Sequence, residues 1–424
     1  MSQPPVDEPS AGFGVRLSRR RAIATAGAGL AAAGAVAVGG RSTRVAAQPA
    51  TPAAVPATAQ MAGAVTPERA SLAISRVPAL AQQILEQSGV PGMSVAVVVN
   101  NTIAFLGGFG VREIGKTEPV DEDTVFQIAS LSKSVASTVV SAVVADGVIG
   151  WQSRIADLDP TFALHDAWPT SEVTLADLFS HRSGLRDHAG DLLEDLGFGR
   201  EEVLHRLRYL LPAYSFRAGY IYTNFGLTAA AVAAAKATGR PWEDLSRDRL
   251  YQPLGMSRTS SRFADYMAAT NRATPHVKQG DHWVVTPDQR NPDAQTPAGG
   301  VSSTARDLAR WMRLQLGQGT VDGREWIPAD ALAPTHIPQA VSKAPADPAT
   351  QRASFYGLGI GVSYDDFGQV VWSHSGAFAL GAGTAYYLLP GSGFGVLALT
   401  NGMPVGAPEA LCLSVLDLAQ RGEV

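Results

Sequence analysis

Ser130 and Lys133 stand three residues apart at the head of a run, Ser130 to Val144, in which Lys133 is the only charged residue. On a helix these two side chains share a face, so Nζ can reach Oγ. So apolar a helix is expected to be buried, and a buried ammonium is costly unless it is paired or gives up its proton. Desolvation lowers the pKa of lysine toward the range in which it accepts a proton. Arginine, which greatly outnumbers lysine in this chain, has no such option. The chemistry that follows is acylation of Ser130, with the lysine taking the hydroxyl proton and the helix dipole favouring the developing alkoxide. The same spacing also fits a serine N-cap followed by a lysine that snorkels to the surface, so the pair alone does not decide.

Two further clusters bear on the choice. Tyr222-Thr223-Asn224 precedes an Ala-rich helix that runs toward Gly239. A phenol placed beside an ammonium is drawn toward phenolate, and Tyr222 can then share the serine proton and pass it to a leaving group. Asn224 offers an amide donor and acceptor for a substrate amide or for fixing Lys133. The alternative is a turn in which Tyr222 packs and Asn224 caps. His374-Ser375-Gly376, followed by Ala377, comes at the end of an expected strand over Gln369 to Trp372, and Gly376 has no side chain to keep the backbone from substrate. The N–H groups of Ser130 and Ala377 are the candidates for an oxyanion hole.

Taken in order, Ser130-Leu131-Ser132-Lys133, Tyr222-Thr223-Asn224 and His374-Ser375-Gly376 resemble the three-motif set of the serine β-lactamase-like superfamily. The branch it resembles holds class C β-lactamases, D-alanyl-D-alanine carboxypeptidases, D-aminopeptidases and related esterases. The likeness continues through Leu178 to Leu185, Pro253-Leu254-Gly255-Met256, Ala298 to Ser303 and Leu397 to Asn401, covering roughly residues 70 to 420. The resemblance implies that Ser130 is the nucleophile and that Lys133 and Tyr222 are the acid/base pair. It further implies that Asn224 orients substrate and that His374, Ser375 and Gly376 line the pocket. The fold implied is α+β, an antiparallel sheet flanked by helices plus an all-helical lobe. β-Lactamases of this branch usually carry Lys-Thr-Gly at the third motif. A neutral His374 weakens the attraction for a substrate carboxylate at pH 7, so D-amino-acid peptides and small esters stand beside β-lactams as substrates. A penicillin-binding, sensor-like protein that is acylated without turnover is the alternative.

The elements that would position these residues are legible in outline. Thr66-Pro67 reads as an N-cap and first turn of a helix with Leu80, Ala81, Ile84 and Leu85 on one face, and Pro78 is a point at which that helix can divide in two. Met93 to Val99 and Thr102 to Val111 read as a hairpin around Asn100-Asn101. Later strands are expected at Gly357 to Val362, Gln369 to Trp372, Thr384 to Leu389 and Phe394 to Thr400, with loops over much of Ala268 to Gly300 and Ala333 to Ala353. Thr174 with Asp177, and Thr304 with Asp307, have the spacing of capping boxes. A sheet assembled from both ends of the chain follows, with an α/β part over 66–150 and 341–424 and a helical lobe over 151–340.

Ahead of this domain, residues 1–47 read as a twin-arginine-type signal peptide, with Arg19-Arg20-Arg21, an uncharged Ala/Gly stretch and a Val45-Ala46-Ala47 cleavage pattern. Residues 48–65 read as an Ala/Pro linker without enough apolar surface to fold. The expected product is exported, periplasmic or secreted, and is membrane-anchored if the signal stays on. Export implies transient contact with the export machinery; otherwise the expected partner is a small-molecule or peptide substrate. With 424 residues, 46% hydrophobic, the chain has ample material for a core, and a net charge of −4 supplies no basic field for nucleic acid. The single cysteine, Cys412, has no intrachain partner and reads as a buried small hydrophobe. No Gly-x-Ser-x-Gly elbow occurs, and His181, Asp187 and His188, though close in sequence, lack metal-ligand spacing, so neither a metal nor a cofactor is expected.

Overall fold

Thr66 caps the first helix: its hydroxyl accepts the Arg69 amide in the computed structural model, which describes residues 63–424. The signal expected over 1–47, and nearly all of the 48–65 linker, lie outside the described residues. That helix, α1, runs unbroken over Pro67–Ser88. Pro78 does not divide it, because the ring lies on the exposed side, where water can satisfy the carbonyl it leaves unpaired. The opposite side buries Ala73, Val77, Ala81, Ile84 and Leu85.

The next two strands, β1 (Gly92–Val99) and β2 (Thr102–Gly110), form the expected hairpin. Asn100 and Asn101 turn it with φ of 48° and 62°, the positive values that a two-residue hairpin turn requires. Six more strands complete the sheet: β3 (Ala340–Lys343), β4 (Ser354–Tyr356), β5 (Gly361–Tyr364), β6 (Val370–Phe378), β7 (Ala382–Leu389) and β8 (Phe394–Thr400). Their order is β2-β1-β8-β7-β6-β5-β4-β3, every pairing antiparallel. Chain order and sheet order part at the β1–β8 pairing, where Val95 faces Ala398, so early and late segments of the chain meet one strand in from the β2 edge of the sheet.

Both faces of the central strands are covered, and their residues alternate between two cores. Val95 and Val97 of β1, with Val396 and Ala398 of β8, pack with α1 and the C-terminal helix Ala407–Arg421. Ala96 and Val98, with Leu397 and Leu399, point the other way into the larger core. That core includes the helix α2 (Leu131–Ala145), the helix α3 (Leu175–Phe179) and the helix Ala305–Leu316. Cys412 is fully buried in the first core, as expected.

Three differences from the expected elements have physical causes. Strands β3 and β4 lie at the far edge of the sheet, and β3 falls in a stretch rich in Pro and Asp that reads as a loop, because short edge strands need little apolar sequence. His276–Gln279 and His282–Val285 pair as a small hairpin inside the other expected loop. Strand β6 continues past Trp372 to Phe378, so His374-Ser375-Gly376 sits within the strand and not at its end. Of the two capping boxes, Thr174/Asp177 is reciprocal. At Thr304 only the amide of Asp307 is capped, because the Asp307 carboxylate turns to the Arg258 amide.

Candidate active site

Helix α2 begins at a strained point. Ala129, fully buried, has φ of 47°, a left-handed value that costs an alanine roughly 1–2 kcal/mol, and the turn it makes presents Ser130 at the mouth of the helix. Ser130 is already helical, with φ of −68° and ψ of −6°, and its side chain caps nothing. The N-cap reading of that hydroxyl therefore fails. The polar face of α2 is anchored from behind: Ser134 Oγ bonds the Gly359 carbonyl at 2.8 Å and lies 2.8 Å from the Tyr386 hydroxyl, while Ser132 Oγ accepts the Val301 amide at 3.0 Å. Leu131, Val135, Val139 and Val143 are buried, each contributing about 1.5–3 kcal/mol, which offsets the cost of an interior lysine.

Lys133 is fully shielded from solvent and does not snorkel. Its Nζ lies 3.0 Å from Ser130 Oγ, 2.6 Å from Asn224 Oδ1 and 2.9 Å from the Ala298 carbonyl. All three partners are neutral. Burial pushes the lysine down to about 7, against the field of Asp191, which favours the charged form. At that value a large fraction of the amine is neutral at physiological pH.

Tyr222 donates to Ser130 Oγ at 2.7 Å. Burial pushes this phenol upward from its ordinary value, and the hydrogen bond to Ser130 recovers only part of the shift. The expectation that a neighbouring ammonium draws Tyr222 toward phenolate is thus reversed, because desolvation outweighs a lysine that is itself only partly charged. Tyr222 holds its proton and can donate it. The loop that carries it is held by His181, a buried residue with φ of 59°, whose Nδ1 accepts the Thr223 amide at 3.2 Å and whose carbonyl accepts the Ile221 amide at 3.0 Å. His188 bonds the Tyr222 carbonyl through its own amide at 3.1 Å.

Asn224 opens the helix Asn224–Ala237 and uses both ends of its amide within the protein: Oδ1 on Lys133 and Nδ2 on Asp191 Oδ2 at 2.7 Å. Of the two tasks open to it, fixing Lys133 is the one it performs here.

The third motif closes the other side. A Cβ at Gly376 would come within 2.5 Å of the Ile128 carbonyl, 2.4 Å of Thr384 Oγ1 and 2.9 Å of the Ser130 nitrogen, so only glycine lets β6 touch the start of α2. The Ser130 amide makes no hydrogen bond among the described residues. Ala377 follows on the same strand, solvent-exposed. His374 is half-buried against the rings of Tyr222 and Tyr356, and Tyr356 in turn packs against His181. Its Nδ1 lies 2.7 Å from the Ser375 carbonyl and its Nε2 lies 2.7 Å from the Tyr356 hydroxyl. A carbonyl only accepts, which places the hydrogen on Nδ1 and leaves Nε2 to accept from tyrosine. Burial, and next the nearby lysine, push His374 down to about 3, so it is neutral throughout the physiological range.

Sequence reading did not find Asp191, Tyr356 or the Ala298 carbonyl as partners in the site. No motif spacing marks Asp191 or Tyr356, and although Ala298 opens the run Ala298 to Ser303, only the fold brings its carbonyl to Lys133. Of the three grouped as possible ligands, His188 bonds Asp191, His181 holds the Thr223 amide, and Asp187 is exposed.

The sheet, the helical segments and a serine, lysine and tyrosine in mutual contact define the class of the serine β-lactamase-like hydrolases. The family model described as Beta-lactamase matches residues 77–420, and the chain belongs to that family. Among characterised relatives, Penicillin-binding protein 4 of Amycolatopsis lactamdurans is 30% identical over 328 residues, covering 74% of this chain and 81% of that protein. The D-alanyl-D-alanine-carboxypeptidase/endopeptidase AmpH of Escherichia coli K12 is 28% identical over 263 residues, covering 59% of this chain and 63% of its own length. Unguisins hydrolase ungD' of Aspergillus campestris is 26% identical over 340 residues, with 76% of this chain matched to 60% of that protein. In fold, the octameric penicillin-binding protein homologue of Pyrococcus abyssi superposes with a TM-score of 0.70 at 19% identity, covering 81% of this chain and 77% of its own.

Proposed function

We propose that this protein is an exported hydrolase that cleaves an ester or amide through an acyl-enzyme on Ser130. The observation that carries the reading is the hydroxyl of Ser130 held between Lys133 Nζ at 3.0 Å and Tyr222 OH at 2.7 Å. Neutral Lys133 takes the proton as Oγ attacks the carbonyl carbon of substrate. The Ser130 and Ala377 amides then face the developing oxyanion. Tyr222, carrying its proton, donates to the departing amine or alkoxide and recovers a proton from Lys133, after which water attacks the acyl-enzyme by the reverse route. Export rests on the twin-arginine-type pattern within residues 1–47.

Substrate choice turns on His374. A neutral imidazole pinned by Tyr356 offers no cation to a substrate carboxylate, which favours small neutral esters, with D-amino-acid peptides and β-lactams, both of which carry a carboxylate, as the other substrate classes to compare. The second reading is a penicillin-binding, sensor-like protein that is acylated without turnover.

A fluorophosphonate probe, or penicillin followed by mass spectrometry, is expected to label Ser130, and Ser130→Ala to lose both label and hydrolysis. Label on another residue would overturn the assignment. A panel of p-nitrophenyl esters, nitrocefin and a D-Ala-D-Ala peptide separates the substrate classes, and a stable adduct without product selects the sensor.

A further inference from the structure

Asp191 belongs to none of the three motifs. It opens the short helix Asp191–Asp195 behind Gly190, whose φ of 97° suits only glycine. Its Oδ2 accepts Asn224 Nδ2 at 2.7 Å and lies 2.6 Å from His188 Nδ1, while its Oδ1 is buried without a hydrogen-bond partner. A carboxylate only accepts, so Asn224 has to turn its NH2 toward Asp191 and its carbonyl toward Lys133.

That orientation reaches the reacting atoms. A neutral amine has two N–H bonds and one lone pair. Asn224 Oδ1 at 2.6 Å and the Ala298 carbonyl at 2.9 Å are both acceptors and take the two hydrogens, which leaves the lone pair for Ser130 Oγ at 3.0 Å. With the Asn224 amide reversed, its NH2 would claim the lone pair and Ser130 would lose its base.

We propose that Asp191 is a positioning residue that, by fixing the amide of Asn224, directs the lone pair of Lys133 at Ser130. The inference rests on the reading of Ser130 and Lys133 given above. Asp191 also acts through its charge. Facing it are Lys133 from α2, Tyr222 and Asn224 from the opposite loop and helix, His188 from the preceding loop and Glu194 one turn along. His181 and His374 complete the set facing Lys133, and Asp187 acts on His188. Within that set Asp191 favours the ammonium, so its removal moves the loss of the lysine proton to lower pH. His188 is raised from its ordinary value, first by its hydrogen bond to Asp191, and is therefore removed in one series.

The test uses the full chain with an ester substrate, in wild-type and His188→Gln backgrounds, so that the imidazole bonded to Asp191 is absent from one series. Asp191→Ala is expected to lower kcat roughly 10- to 100-fold with KM within about threefold, and to move the acid limb of kcat to lower pH. Asp191→Asn keeps an acceptor oxygen but no charge; it is expected to recover most of kcat while retaining the displaced limb. If Asp191→Ala does not fold, the limb of Asp191→Asn decides. An unmoved limb in both variants, or a kcat within about twofold of wild type in Asp191→Ala, overturns the inference. Ser130→Ala run in parallel separates the failures: activity that survives it removes the acyl-enzyme reading itself. Activity lost there but intact in Asp191→Ala removes only the role of Asp191.

Discussion

Lys133 and Asp177 are both wholly shielded from solvent, yet the protein treats them in opposite ways. Asp177 is surrounded by counter-charge. Arg217 donates Nη2 at 2.8 Å and Arg182 donates Nε at 2.9 Å, and the Thr174 hydroxyl and amide add bonds at 2.8 and 3.0 Å. Burial pushes that carboxyl up, but these bonds outweigh it and hold it below its ordinary value. Lys133 receives only neutral oxygens, so nothing in contact repays its desolvation and its proton is easily lost. A buried charge with counter-ions is a fixed structural element, whereas a buried charge denied them is a reagent.

Substitution should break the comparison unevenly. Lys133→Ala is expected to lower kcat/KM by about 10³-fold or more while leaving the thermal midpoint unchanged or raised, because it removes an uncompensated buried amine. Lys133→Arg should be as inactive, since guanidinium keeps its proton; activity in either would show the lysine to be structural. Tyr222→Phe removes only a proton donor and is expected to cost about 10²-fold in kcat, most for the poorest leaving groups. Asp177→Ala should do the reverse of Lys133→Ala. It strands two arginines, and because both are partly exposed the loss is expected near 3 kcal/mol in denaturant melts, with kcat/KM of the folded fraction within about threefold.

Acidity sharpens the contrast without mutation. If neutral Lys133 is the base, kcat/KM rises as pH increases through about 7 and falls roughly tenfold per unit below it. Asp177, depressed in the native state, contributes stability that is complete above its unfolded value of about 4 and is lost as pH falls through the lower native one. Between about pH 4 and 6 the protein is therefore expected to be folded but slow, checked by circular dichroism beside initial rates. Smallest is Tyr356→Phe, which frees Nε2 of His374. Because burial and Lys133 keep the histidine neutral in that variant too, activity on neutral esters and on carboxylate-bearing substrates alike is expected to change less than about threefold.

The residues that were legible in the sequence are those whose meaning is local. Ser130 and Lys133 lie one helical turn apart in a run with no other charge, and Asn100-Asn101 announces its own turn. Partners supplied by tertiary structure were silent: Asp191, Tyr356 and the Ala298 carbonyl become part of the site only through packing. Tyr222 was found in place but misjudged in charge, since spacing reveals a neighbouring lysine and not the depth at which both are buried. Strand β3 was missed for a related reason, as an edge strand needs one partner and little apolar sequence.

The contact between Gly376 and the start of α2 governs when the site comes into being. Thr384 Oγ1 bonds the Ile128 carbonyl across 256 residues of sequence, and Gly376 approaches the Ser130 nitrogen beside it. Ser130 and Lys133 are thus synthesised long before the strand that completes the pocket around them. A chain still emerging from the ribosome, or cut short ahead of β6, carries the serine and its base but no finished site. An acylating centre here therefore depends on two segments far apart in the chain, and a truncation between them removes part of its wall.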